Sequence, residues 1–300
     1  MRATGALTAL GGATPSLAGC LGDGGVTVLS AGSLAVVLER TVGPAFERAR
    51  EVPFSGEYHG SKAVTRMIRE EQQRPDVAIS ADVSLLRDRL EPGHADWDVV
   101  FASNEVGLAY APDTALGERL AAGDPWYAVF RDAAPGEVAI ADPDVDPLGY
   151  RAMHLFELAE RRYDLEGFRA EMAREAYREP HEPQLLAGLE TGDRAVAVVY
   201  RNMASDHGLP FRALPDRLNF GSPSHADHYA TASYTTSDGY TAEGSPMLYA
   251  ATVLKDAPEP AAGRRFVGFL LDRPELLRQH GVGVPEALPR FHGDPPEAVR

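Results

Sequence analysis

Lysine is nearly missing from this chain. It stands only at Lys62 and Lys255, so almost all of the 29 basic residues are arginine, set against 44 acidic ones for a formal charge of −15 at pH 7. That balance argues against a nucleic-acid partner, because affinity for a phosphate backbone comes from neutralising it with cations. An acid excess with scarce lysine gives the hydrated anionic surface that keeps proteins apart in concentrated salt, the setting of a halophilic archaeon, although GC-rich codon usage produces the same bias. Cysteine occurs once, at Cys20, which excludes a disulfide within the chain. No run of about twenty apolar residues is present, so no segment is long enough to span a bilayer.

What is present suits a globular protein. A chain of 300 residues with 44% hydrophobic content can fill a large core, and its length fits two lobes. Cys20 closes "LAGC" after small and apolar residues led by Arg2, a lipobox-like arrangement. It predicts an extracytoplasmic protein lipidated at Cys20 and held to the outer face of the cell membrane, with residues 1–25 as signal and tether.

From residue 26 short β-like runs alternate with helical patterns. "VTVLS" (26–30) precedes an amphipathic segment from Leu34 to about Arg48. "DVAISAD" (76–82) repeats the idea, "VAIAD" leads to a helix from Pro147 to about Tyr163, and "RAVAVVY" leads to "RNMASDHG". The alternation predicts an α/β architecture of mixed, mostly parallel sheets flanked by helices, in which ligands gather at the carboxyl ends of strands and the amino ends of helices. "SNEVGLAYAP" (103–112) and "GSPMLYAATV" (244–253) read as crossings between lobes, with hinge strands near Leu108 and Leu248. The expected division is lobe A over 26–106 and 246–300, and lobe B over 107–245.

Several polar residues stand at those strand ends. Ser33 and Ser61 are N-cap candidates whose hydroxyl protons could also go to an anion. Asp82 in "SADVSLL" reads as a cap alone. "DPDVDPLGYR" (142–151) fails as a calcium loop, since its sixth position is Pro147 and its twelfth is Met153, where glycine and glutamate are needed. Proline favours the first helical position, so Asp146 is the natural N-cap, with Asp142 and Asp144 in the approach loop. Glu190 falls in the last turn of a helix that Gly192 ends, where the macrodipole disfavours an acid. Tyr200 closes the next buried strand, so Asp146, Glu190 and Tyr200 could face one cleft. His225 and His228 suggest zinc by spacing but lack a third ligand, and His181 and Glu182 read as a solvated loop. With no GxSxG and no histidine in a catalytic pattern, an enzyme is not expected.

These segments resemble the tungstate/molybdate-binding proteins of ABC transporters in their archaeal form. The resemblance is carried in order by "AGSL", "GS" at 60–61, "SAD" at 80–82, "ADWDVVFASNEVGLAY", "DPDVDPLGYR", "LETGDRAVAVVYR", "HADHYA" and "GSPMLYAATV". It implies a two-lobed periplasmic-binding-protein fold of type II, joined by two hinge strands, acting as a monomer with ABC permease subunits as partners and no cofactor. The implied ligand is tungstate or molybdate. Asp146 and Glu190 would complete the coordination of its metal, and Ser33, Ser61 and Tyr200 would hold its oxygens; Asp144 is the alternative to Asp146. A receptor for sulfate, phosphate or a metal ion is the other reading.

Overall fold

The computed structural model describes residues 24–180 and 184–299. Cys20, His181 and Glu182 lie outside the described residues. The strands in chain order are β1 Val26–Ala31, β2 Phe54–His59, β3 Val77–Ser80, β4 Trp97–Ser103, β5 Val106–Tyr110, β6 Val138–Ala141, β7 Tyr177–Glu179, β8 Val196–Tyr200, β9 Phe211–Ala213, β10 Ser233–Thr235, β11 Thr241–Glu243, β12 Leu248–Val253 and β13 Arg290–Gly293. They form a sheet of order β13-β4-β12-β3-β1-β2, a second of order β7-β6-β8-β5-β9, and the small hairpin β10-β11.

Both large sheets are mixed. Parallel pairing is confined to β2-β1-β3 in the first and β7-β6-β8 in the second, where helical crossovers join the strands. The crossing strands need no such helix, and so β12 and β5 run antiparallel to their neighbours. β3, β6 and β8 are buried along their whole length, which is why they read as unbroken apolar runs rather than alternating ones. β4 passes into β5 through Asn104 and Glu105, and the Asn104 N–H donates to the Met247 carbonyl just ahead of β12 at 3.2 Å, tying the outgoing and returning chains together.

The segment after β1 is helical but not uniform. It widens into a π turn at Leu38–Val42, immediately before Gly43 and Pro44. Pro44 has no N–H to give to an α-helical ladder, and the widened turn accommodates that break. The Pro147–Tyr163 helix is the long buried element of the second lobe. Gly149 is required in its first turn, since a Cβ there would lie 2.4 Å from the Ala141 carbonyl of β6.

Candidate functional site

Five polar side chains stand at carboxyl ends of strands from both sheets: Ser33 after β1, Ser61 after β2, Asp82 after β3, Asp146 after β6, and Tyr200 at the end of β8. All five are buried. The topology therefore collects in one seam residues spread over most of the sequence.

Neither serine caps a helix, contrary to the sequence expectation. Ser61 is the first residue of the Ser61–Arg69 helix, whose N-cap is Gly60. Its hydroxyl accepts from the Ala81 N–H at 2.9 Å, which leaves its own proton to be given elsewhere. Ser33 lies in the short turn Gly32–Leu34, where its Oγ accepts from the Tyr249 hydroxyl at 3.1 Å and its carbonyl accepts from Asn202 Nδ2 at 2.5 Å. Asn202 belongs to the Arg201–Asp206 helix of the other lobe and also takes a hydrogen bond from Asn104.

Asp146 is the N-cap of the Pro147–Tyr163 helix, its Oδ1 accepting from the Leu148 N–H at 2.7 Å. Its other oxygen faces the first lobe: a Cβ on Gly60 would lie 2.7 Å from Asp146 Oδ2 and 2.5 Å from the Val145 carbonyl. Only glycine permits that approach. The Ala63 N–H donates to the Val145 carbonyl at 3.2 Å, so the Asp146 loop is pressed against the amino end of the Ser61–Arg69 helix. Asp144 points elsewhere, its Oδ1 accepting from the Ser237 N–H.

Two further residues were not singled out in the sequence. Arg151, 1% exposed, donates from Nη1 to the Tyr200 hydroxyl at 2.9 Å, and its Nη2 lies 3.5 Å from Asp82 Oδ2. Burial opposes its charge, yet Tyr200 and Asp82 hold it protonated above its ordinary value. Tyr150 donates to the same Asp82 oxygen at 2.6 Å. Asp82 does cap its helix through Leu85, as expected, but it also fastens the first lobe to the second. The available signal was the "YR" of "DPLGYR", an arginine in the apolar, buried opening turns of the helix.

Glu190 stands at the surface. It ends the Ala187–Glu190 helix with its side chain 47% exposed, and its carboxylate pairs with His207 Nδ1 at 2.6 Å. A four-residue helix at the surface has little buried area to fix its last side chain, and here the acid takes a solvent-side partner. The histidine pair is likewise used structurally, His228 Nε2 lying 3.1 Å from the Arg217 carbonyl. Glu91, Asp98 and His292 bring ligand atoms within 4.8 Å of one another, but Arg87 already binds both oxygens of Asp98. That group reads as a charge network. Among the described residues no helix is long and apolar enough to cross a membrane.

A family model described as bacterial extracellular solute-binding protein matches residues 26–282. A Halobacterium salinarum protein named only as a solute-binding protein is 50% identical over 94% of this chain and 92% of its own. A Haloferax volcanii protein, provisionally named an ABC transporter molybdenum-binding protein, is 36% identical over 96% of this chain and 92% of its own. Among solved structures, the periplasmic molybdate-binding protein of Azotobacter vinelandii superposes with a TM-score of 0.65 at 15% identity, over 87% of this chain and 100% of its own, which establishes likeness of fold.

Proposed function

This chain belongs to the bacterial extracellular solute-binding protein family, and from that premise we propose that it captures molybdate or tungstate between its lobes and delivers it to an ABC permease. The observation that carries the reading is the placement of Asp146. A buried carboxylate stands against the amino end of the Ser61–Arg69 helix, across the seam between the lobes. A helix amino end attracts anions through its unsatisfied N–H groups. A carboxylate facing the same anion repels it, by about 4 kcal/mol per charge pair at 4 Å with an effective dielectric of 20. The two belong together when the anion carries a hard, high-valent metal that accepts a carboxylate oxygen, which sulfate does not offer.

The remaining groups divide the work. Ser61 and Ser33 bring hydroxyls to the oxygens, Tyr200 is oriented by Arg151, and the Arg151 cation offsets part of the added charge. Their burial strengthens each of these interactions relative to water. Glu190 has no part in this reading. A Haloferax relative named as molybdenum-binding supports it independently.

Calorimetric titration of residues 26–300 with tungstate, molybdate, sulfate and phosphate tests the proposal. Binding of the first two with little response to the others is expected; preference for sulfate or phosphate overturns it. We further propose that Cys20 carries the lipid that keeps the protein at the outer membrane face, in which case Cys20→Ser should release it to the soluble fraction, and unchanged fractionation refutes the anchor.

A further inference from the structure

Beside the buried site, at the rim of the same seam, lies a cavity of about 260 Å³. Lys62, Arg66 and Arg69 line it from one face of the Ser61–Arg69 helix, at the i, i+4, i+7 spacing that aligns side chains along a helix, and Arg89 lines it from the Val83–Leu90 helix. In a chain of charge −15 this gathering of cations, with one of only two lysines at its inner end, is out of character with the rest of the surface. Its inner lining, Lys62 and Val145, is next in the chain to Ser61 and Asp146.

Its mouth is held by an anionic group of the protein itself. The turn between β10 and β11 reaches across from the second lobe and places Asp238 between Lys62 and Arg89. Lys62 Nζ donates to Asp238 Oδ1 at 2.6 Å, and Arg89 Nη2 lies 3.5 Å from Oδ2. Lys62 is 8% exposed and donates also to the Asp144 carbonyl at 2.8 Å, while the Arg89 guanidinium lies over the Tyr240 ring at 4.7 Å. Thr236 and the Tyr240 N–H bond Asp238 from within the turn, so its carboxylate is held in place. Every one of the contacts from Lys62 and Arg89 joins one lobe to the other, and none can persist when the lobes part.

We propose that Lys62 and Arg89 form an outer, transient oxyanion site, and that Asp238 on the β10-β11 turn is its gate. With the lobes apart, the two cations are open to an incoming dianion. As the anion passes inward to Ser61 and Asp146, closure seats Asp238 on the cations it has left, and the turn shuts the seam behind it. The tethered carboxylate and the free anion compete for the same donors, so the gate also bars a second anion from following. This inference rests on the oxyanion reading for the nature of the ligand, but not for the gate.

Two variants and two measurements test it. Asp238→Asn removes the charge and keeps an oxygen for the Thr236 and Tyr240 bonds; Arg89→Gln weakens the gate from the opposite lobe and leaves the turn untouched. Hydrogen exchange at the Ala63 amide, whose acceptor is across the seam, reads opening without ligand, and stopped-flow mixing with tungstate reads capture and release. In Asp238→Asn, exchange at Ala63 should quicken and both association and dissociation of tungstate should speed up, each by roughly three- to tenfold for the loss of one partly exposed ion pair. In Arg89→Gln dissociation should rise while association falls, because a cation of the outer site is gone. Exchange and dissociation unchanged in both variants overturn the proposal. If wild-type protein binds no tungstate while the exchange difference persists, the gate is supported and the oxyanion reading fails.

Discussion

The Pro147–Tyr163 helix and the Ala187–Glu190 helix each hold a carboxylate at one end, with opposite results. Asp146 opens the long helix, caps it and is buried against the other lobe. His154, two turns on, is sealed in the same helix, with Nε2 3.1 Å from the Ala242 carbonyl. In the short helix Glu190 is nearly half exposed and His207 comes out to meet it. The chemistry of the side chains is the same in both places. What differs is how much buried surface holds the backbone that carries them, and that decides whether a carboxylate becomes part of an interior site or a surface ion pair.

The largest effect is expected at the buried histidine. Burial, with Arg151 adding to it, lowers the His154 pKa from its ordinary value to about 3. The unfolded chain takes a proton near pH 6.5 that the native protein refuses until about pH 3, so stability is full above pH 6.5 and falls as pH drops through that window. The loss is on the order of 5 kcal/mol. His154→Gln keeps a donor for the Ala242 carbonyl and should flatten this acid limb in urea melts taken from pH 7 to pH 4; an identical slope in the variant would count against a buried neutral imidazole. The carboxylates come next. Asp146→Ala should weaken tungstate by at least about a hundredfold, roughly 3 kcal/mol, while sulfate binding stays weak or improves as repulsion is relieved. Asp146→Asn retains a good cap, and circular dichroism should show the helix intact although tungstate is lost. Wild-type tungstate affinity in both would return Asp146 to a helix cap. Ser61→Ala should cost about 1.5 to 3 kcal/mol for every oxyanion alike, so a tungstate-selective loss would contradict its role as an oxygen donor. Glu190→Ala should be nearly silent, under about 0.5 kcal/mol in stability and within about twofold in tungstate affinity, and a large loss of affinity would make it a ligand beside Asp146.

The long helix was legible because its signals are local. Asp146 before Pro147 marks its start, and the chain leaves it at Asp164 in the left-handed region, φ 54°, close to where the apolar spacing stops. Likewise β1, β3, β6 and β8 announced themselves as apolar runs. Residues acting across the seam carried no such signal. Asp82 is a helix cap in any local reading, and its bonds to Tyr150 and Arg151 join residues 68 positions apart or more. Lys62 was visible only as an oddity of composition, one of two lysines, and its partners Asp144 and Asp238 come from distant parts of the chain. Glu190 shows the limit from the other side: the sequence placed it correctly at the end of a helix before Gly192, φ 79°, and gave no indication of which way its side chain would turn. The mixed sheets were expected, but which strands run antiparallel was not written in them, since a strand entering from the other lobe takes its direction from the crossing rather than from its own residues.

The position of β12 has a consequence for how the protein comes into being. In the first sheet β12 lies between β4 and β3, yet in the chain it follows all the strands of the second sheet. Synthesis or export that delivers the amino terminus first can complete the second sheet once Ala213 has emerged. The first lobe at that moment is still split along its middle, with the edges of β3 and β4 facing a gap. Unpaired edges of this kind invite wrong partners. The lobe made first is therefore finished last, and the segment that closes it, Leu248–Val253, is also the one that returns from the other lobe, so assembly of the first lobe and joining of the two are a single event.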